Sequence, residues 1–316
     1  MIKDRNIDIG ADIDPAKIRG SMLAKRYYAT TSAGATYAYL REKGIKGENL
    51  HTSITDAYNK TVTGRNDIVY LSPDSHSQGS GLTWAKNMTH LQGMYPDSIE
   101  HLRARIGMST AFTPFITVSG YGNKFSNIYT MHGTAQGDYV GWLISGERNT
   151  FEYVHFGGPF FATQADHASY VGVDITGTEN YFKHCMFGDS SITRAASNYN
   201  VSMAAGTTAH FEDCVFRMMV DGSDPMFFNF KNTSSATLAY FKNCTFFVMS
   251  SNMGTAIDEA FNFTGSATAV AMIDNGCNFI GVTKIASSTK DAFVYLPRPH
   301  VTTTIGEGNI AEVLVS

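Results

Sequence analysis

Apolar and polar positions in the second half of the chain recur as one unit. Reading from a small residue to a phenylalanine five positions on gives GYGNKFSNIYT from Gly120, GERNTFEYVHF from Gly146, GTENYFKHCMF from Gly177, GTTAHFEDCVF from Gly206 and ATLAYFKNCTF from Ala236. The anchors Phe125, Phe151, Phe182, Phe211 and Phe241 lie 26, 31, 29 and 30 residues apart. Such near-equal spacing suits coils that keep their strands and vary their loops. Within each unit Cys185 and Phe187, Cys214 and Phe216, and Cys244 and Phe246 alternate with polar residues, which is strand periodicity. A helix would need apolar positions three and four apart over ten or more residues, and the recurring Gly, Asn and Thr oppose that. A propeller blade needs about 40 residues or more per repeat. The pattern therefore predicts an all-β chain: a single-stranded right-handed parallel β-helix, with an extended N-terminal arm and a short capping helix. Equivalent residues should stack about 4.8 Å apart. Phe151, Phe182, Phe211 and Phe241 then form one core ladder, with Cys185, Cys214 and Cys244 beside it. In-register parallel strands point these thiols the same way, so inert packing is expected, not disulfides.

A degenerate sixth copy starts at Gly265, and earlier rungs are read around Val69, Leu91 and Ile106. Before them, Thr52 to Lys60 carries a Ser/Thr start signal and helix-compatible spacing at Ile54, Ala57 and Tyr58. A helix there would cover the open strand edge of the first coil. Pro297 and Pro299 mark the loss of the repeat. The expected organisation is an arm and linker over residues 1–50, the β-helix over 51–290, and a C-terminal cap or partner-contact segment over 291–316. In the arm, Ile7, Ile9, Ile13 and Ile18 alternate with polar residues, among them Lys17 and Arg19. That pattern suits extended pairing onto another chain.

Composition narrows the partners. Charged residues make up 16%, below the roughly 25% of an ordinary domain, while Gly (29), Phe (21) and Tyr (16) are plentiful. With a net charge of −4 and no run of Lys or Arg, a nucleic-acid partner is not expected. The charged N-terminus does not read as a signal peptide, and no stretch of about 18 apolar residues suggests a membrane span. Synthesis in the cytosol with reduced thiols is expected.

The candidate charged groups for polysaccharide chemistry are Asp174, Glu179, Asp189, Arg194, Glu212, Asp213, Asp221 and Asp224. They keep no common offset within the repeat, so they are expected on different sides of the stack rather than as a catalytic pair. His155, His184 and His210 likewise sit at different offsets from their phenylalanines, and no HxxxH or Cys/His spacing suggests a metal. Asp8, Asp12 and Asp14 lack the glycine and terminal glutamate of a calcium loop. Neither GxxxxGK nor GxSxG occurs. No catalytic residues, metal or cofactor are therefore expected. Pro159, Phe160 and Phe161, in the longest departure from the coil pattern, either form a contact surface or tuck against the wall.

The stretch Asn66 to Pro96 (NDIVYLSPDSHSQGSGLTWAKNMTHLQGMYP), followed by coils carrying FxxCxF, resembles the pectate-lyase-like β-helix superfamily over about residues 52 to 290. That resemblance implies a fold and not a chemistry. The run Asp4 to Leu23 (DRNIDIGADIDPAKIRGSML) resembles the short linkers near the start of tailed-phage fibre and virion proteins. Together they imply a tailed-phage structural protein, assembled in the host cytoplasm and resident in the virion, and not an enzyme. The expected role is a capsid decoration or cement protein, a homotrimer docking by its arm on the major capsid protein. The alternative is a tailspike or tail fibre that binds or cleaves host surface polysaccharide.

Overall fold

The computed structural model describes residues 24–32, 34–100, 104–109, 111–132, 139–159, 161–222, 224–231, 235–250, 256–263, 268–286 and 293–295. These form a parallel β-helix in which each coil adds one strand to each of three ladders. The first ladder runs through Asp67–Leu71, Thr89–Gly93, the start of Lys124–His132, the start of Thr150–Pro159, Asn180–Lys183, Thr208–Glu212, Thr237–Lys242 and Ala269–Ile273. The second includes Met186–Phe187, Val215–Val220, Thr245–Ser250 and Asn278–Ile280. The third is a separate eight-stranded sheet from Leu82–Trp84 to Val282–Ala286.

The phenylalanine ladder is in register across Phe125, Phe151, Phe182, Phe211 and Phe241. Successive rings stack at 5.1, 4.8, 4.9 and 5.1 Å. A second column, Phe156, Phe187, Phe216, Phe246 and Phe279, stacks at 4.8, 4.7, 4.6 and 4.5 Å. Between them, Cys185, Cys214 and Cys244 are buried and free, and Cys277 extends the column by one coil. Each thiol donates to the carbonyl of the phenylalanine one coil earlier: Cys185 to Phe151 (3.4 Å), Cys214 to Phe182 (3.5 Å), Cys244 to Phe211 (3.4 Å) and Cys277 to Phe241 (3.5 Å). Burial pushes the thiols of Cys214 and Cys244 well up, which disfavours the reactive thiolate.

The turn between the first two ladders explains the polar residue after each anchor. Asn127, Tyr153, His184, Asp213 and Asn243, each two residues past a ladder phenylalanine, all have φ between 50° and 56°. The small residue that opens the unit has a steric cause. A Cβ on Gly146 would lie 2.0 Å from the Gly120 carbonyl oxygen, and one on Gly177 would lie 2.1 Å from that of Gly146. An asparagine ladder, not anticipated from sequence, joins the same coils. Asn123 Oδ1 accepts from Thr89 N, Asn149 Oδ1 from Asn123 N, and Asn180 Oδ1 from Asn149 N, at 2.8, 2.9 and 3.1 Å. Its sequence signal is the Asn two positions before Phe125, Phe151 and Phe182.

The capping helix forms over Ile54–Lys60 and buries Ile54, Ala57 and Tyr58, with Tyr58 packed on Trp84 at 4.2 Å between ring centroids. Ser53 Oγ accepts from Asp56 N (3.0 Å), and Lys86 Nζ donates to the carbonyls of Tyr58, Asn59 and Thr61 at the other end. Ser53→Ala should therefore lower stability by about 1 kcal/mol, read as a shift in the urea midpoint.

The expected boundary at residue 51 is corrected. Arg26–Ala29 pairs in parallel with Asp67–Leu71 and with Leu50–His51, and a helix, Ala35–Glu42, lies between. The alternation of buried Tyr27 and Ala29 with exposed or half-buried neighbours extends the first ladder into the stretch read as linker. Buried Asp67 locks this end. It accepts from Lys25 N and Val62 N at 2.8 Å each and pairs with Arg65 at 2.6 Å. The arm residues Ile7, Ile9, Ile13, Lys17, Ile18 and Arg19, and the C-terminal prolines, lie outside the described residues.

Candidate functional site

The expected candidates divide among the three faces, and most are tied to a neighbouring coil. Asp174, on the third ladder, pairs with Lys231 at 2.7 Å. Glu179 pairs with Arg148 on the surface. Glu212, on the outer face of the first ladder, accepts from Tyr181 and pairs with Lys242 (3.2 Å) and Lys183 (3.6 Å). The Tyr181 hydroxyl, ahead of the two lysines, holds the Glu212 carboxyl below the usual carboxylate range. Asp213 accepts from Asn243 (2.6 Å) at the left-handed turn. Asp221 and Asp224 are exposed, in the stretch that follows Val220. His155, His184 and His210 fall on the second ladder, the turn and the first ladder respectively.

Arg194 is not a surface cation. It is fully buried, donates to Asn198 Oδ1 (2.7 Å) and to Asn200, and packs on Tyr170 at 5.4 Å. Burial lowers its pKa to about 10. It braces the loop from Gly157 to Tyr170, because Asn198 also donates to the Ala165 carbonyl (2.6 Å). Within that loop Pro159 is buried at the end of its strand, which corrects its place in a contact surface, while Phe161 is 41% exposed. Phe160 lies outside the described residues.

Asp189 does come together with other groups, through folding that its spacing did not reveal. It accepts from the Tyr129 hydroxyl, and Tyr129 stacks on His155 at 4.4 Å. His155 Nε2 faces the Gly188 carbonyl at 3.0 Å, while its Nδ1 is buried without a hydrogen-bond partner. Arg217 pairs with Glu100 across this cluster at 2.9 Å. Burial lowers the His155 pKa to about 4, so its ring is neutral near pH 7. A neutral ring 1% exposed is placed for packing rather than for proton transfer to a ligand. Among the described residues no group of three His, Cys, Asp or Glu side chains converges as a metal site.

A groove of about 730 Å³ lies over the outer face of the first ladder near its N-terminal end. Tyr28 and Tyr70 stack at 5.3 Å on its floor, and the segment Met94 to Asp97 forms a wall. Asn127 pins that wall, donating to Asp97 Oδ1 (2.9 Å) and to the Tyr95 carbonyl (3.3 Å). Close backbone approach fixes the corner, since a Cβ on Gly93 would lie 1.9 Å from the Asn127 carbonyl oxygen. Sequence reasoning missed this site because its residues come from the first coil, a loop and a turn.

No family model matches the chain, and no curated protein matches it. Among solved structures it is similar to pectate lyase Pel9A, at 11% identity and a TM-score of 0.50, covering 85% of this chain and 78% of that one. It is also similar to the pectin methylesterase of Aspergillus niger, at 14% identity and a TM-score of 0.49, covering 94% and 92%. ORF18 of Geobacillus virus E2 matches at 15% identity and a TM-score of 0.39, covering 78% of this chain and 54% of that one, too slight a likeness to bear on function. The chain thus has the pectate-lyase-like parallel β-helix fold, and at these identities the likeness speaks to fold alone.

Proposed function

We propose that the chain is a structural protein of a tailed-phage particle, a capsid decoration or cement protein whose residues before Ala24 dock on the major capsid protein. The observation that carries this reading is the use made of the charged groups: Asp174, Glu179, Glu212 and Asp213 each tie one coil to another. Together with the likeness of Asp4 to Leu23 to phage linkers, this favours a load-carrying body over an enzyme. Assembly is as a homotrimer, with exposed Phe161 in the subunit contact. The groove beside Tyr28 favours a second reading, a tailspike or fibre that binds host polysaccharide.

Quantitative mass spectrometry of purified particles tests both. Hundreds of copies per particle are expected for a shell protein, a handful would favour the tail, and absence would overturn both. Deleting residues 1–23 is expected to leave the β-helix melting transition in place and abolish attachment to particles. Retained attachment would show that the arm is not the anchor.

A further inference from the structure

We infer that the capped end of the stack holds a pocket for a carboxylate side chain of a partner protein, built from Lys25, His51 and Lys60. Both lysines and the histidine line one concavity of about 490 Å³, together with Tyr27 and Glu48. Lys25 precedes the strand Arg26–Ala29, His51 ends the short strand that pairs with it, and Lys60 closes the capping helix. The pairing that begins the first ladder therefore also assembles the pocket. A Cβ on Gly47 would lie 2.7 Å from a guanidinium nitrogen of Arg41, so a third cation backs the same wall. The choice of partner rests on the docking proposal, since Lys25 closely follows the residues assigned to the capsid contact and a chain that grips them meets the pocket.

Charge is spread unevenly along the chain. Residues 24–65 carry seven Lys and Arg against three Asp and Glu, although the whole chain has a net charge of −4. Along the stack, Lys124, Lys183, Lys231, Lys242 and Lys284 each pair with a carboxylate of another coil. The ammonium groups of Lys25 and Lys60 pair with no described residue. Glu48 in the lining and Asp56 on the capping helix repel a polyanion such as duplex DNA, which carries one charge per about 1.7 Å of axis. A single carboxylate fits between two ammonium groups without meeting either acid.

His51 couples the pocket to pH. Its Nε2 is buried without a hydrogen-bond partner among the described residues. Tyr27 faces the ring at 6.2 Å between centroids, the Glu48 carbonyl lies against it, and Asp56 and Lys60 act on it from the capping helix. Burial holds its pKa below 6.5, with Asp56 opposing and Lys60 assisting, so the free ring is neutral near pH 7. A carboxylate in the pocket supplies the acceptor that a protonated Nε2 needs. Binding therefore draws one proton from solution onto the ring, and affinity should rise as pH falls towards 6.

The test is calorimetric titration of the full chain with an acetylated and amidated tetra-aspartate peptide at pH 7.5 and 6.0, with a DNA duplex as the competing polyanion. The peptide should bind, about fivefold more tightly at the lower pH. Lys25→Gln and Lys60→Gln should each weaken it about fivefold and melt as the parent does, because both side chains are exposed. His51→Gln should remove the pH dependence. Lys242→Gln, which deletes the same charge from the first ladder, should bind as the parent does. No binding at either pH, an equal loss in Lys242→Gln, a pH dependence retained in His51→Gln, or tighter binding of the duplex would each overturn the assignment. Peptide binding by a chain absent from purified particles would uphold the pocket and remove the virion reading, whereas a chain present on particles that binds no peptide would do the reverse.

Discussion

Replacing Phe211 with alanine should destabilise the chain by about 3–5 kcal/mol, the cost of emptying a packed aromatic site. Phe211 is fully buried and stacks on Phe182 and Phe241 at 4.9 and 5.1 Å, with Phe216 and Phe228 edge-on at 5.6 and 5.5 Å. The stack can close the cavity only by bringing coils nearer than one strand spacing, which the backbone hydrogen bonds forbid. Coils in such a stack support only their neighbours, so the loss should spread from the middle. Amide exchange should rise first in Asn180–Lys183 and Thr237–Lys242, which flank it in the ladder. Tyr121→Ala serves as the comparison. That side chain is 51% exposed, and its removal should change stability by no more than about 0.5 kcal/mol. Equal urea midpoints for the two variants would show that the Phe211 column does not carry the core.

Stability should also fall steeply in mild acid, because burial lowers the pKa of His76, His90 and His155, the last two to about 4. His90 Nδ1 accepts from Lys124 N at 3.0 Å while Nε2 faces Asn66 Oδ1 at 3.3 Å, an arrangement that leaves no place for a second proton. Burial, with Lys124 nearby, lowers its pKa from 6.5 to about 4, and burial does the same at His155. Above pH 6.5 both rings are neutral folded and unfolded, and they contribute no pH dependence. As pH falls from 6.5 towards 4 the unfolded chain takes up protons that the folded chain refuses, so stability drops by about 1.4 kcal/mol per unit for each histidine. Between pH 7 and 5 the loss is about 2 kcal/mol per histidine, or about 4 for the pair. Below about pH 4 the folded form is protonated too and this slope ends. Urea unfolding at pH 7, 6 and 5 reads the effect, and His90→Gln should remove about 2 kcal/mol of it. A flat profile from pH 7 to 5 would show that these rings are solvated.

Legibility in the sequence followed chemistry more than position. The phenylalanine and cysteine columns could be read because one residue type recurs at one offset, and stacking rewards identical side chains. The third ladder could not. Val171–Ile175, Tyr199–Met203 and Met226–Phe230 pair in register yet repeat a side chain only at Val173 and Val201, since the core there tolerates any apolar group of suitable size. Asn123, Asn149 and Asn180 stood in plain view but read as turn residues, and their inward hydrogen bonds appear only once the coils are stacked. Asp174 lies on the third ladder and Glu212 on the first, whereas Asp189 meets Tyr129 and His155 through a loop whose path the repeat does not encode. The groove was illegible for the same reason. Tyr28, Tyr70 and Asn127 meet only because the first ladder begins at Arg26, ahead of where the repeat can be seen.

The interior cysteine column offers the most direct check on the stack itself. Cys185, Cys214, Cys244 and Cys277 are the four cysteines of the chain, and all are buried and free. Titration of the native chain with a thiol-specific disulfide reagent should label none of them over minutes, and the same reagent in denaturant should label all four. Rapid labelling of even Cys214, in the middle of the column, or fewer than four thiols after unfolding under reducing-agent-free conditions, would contradict a sealed in-register core.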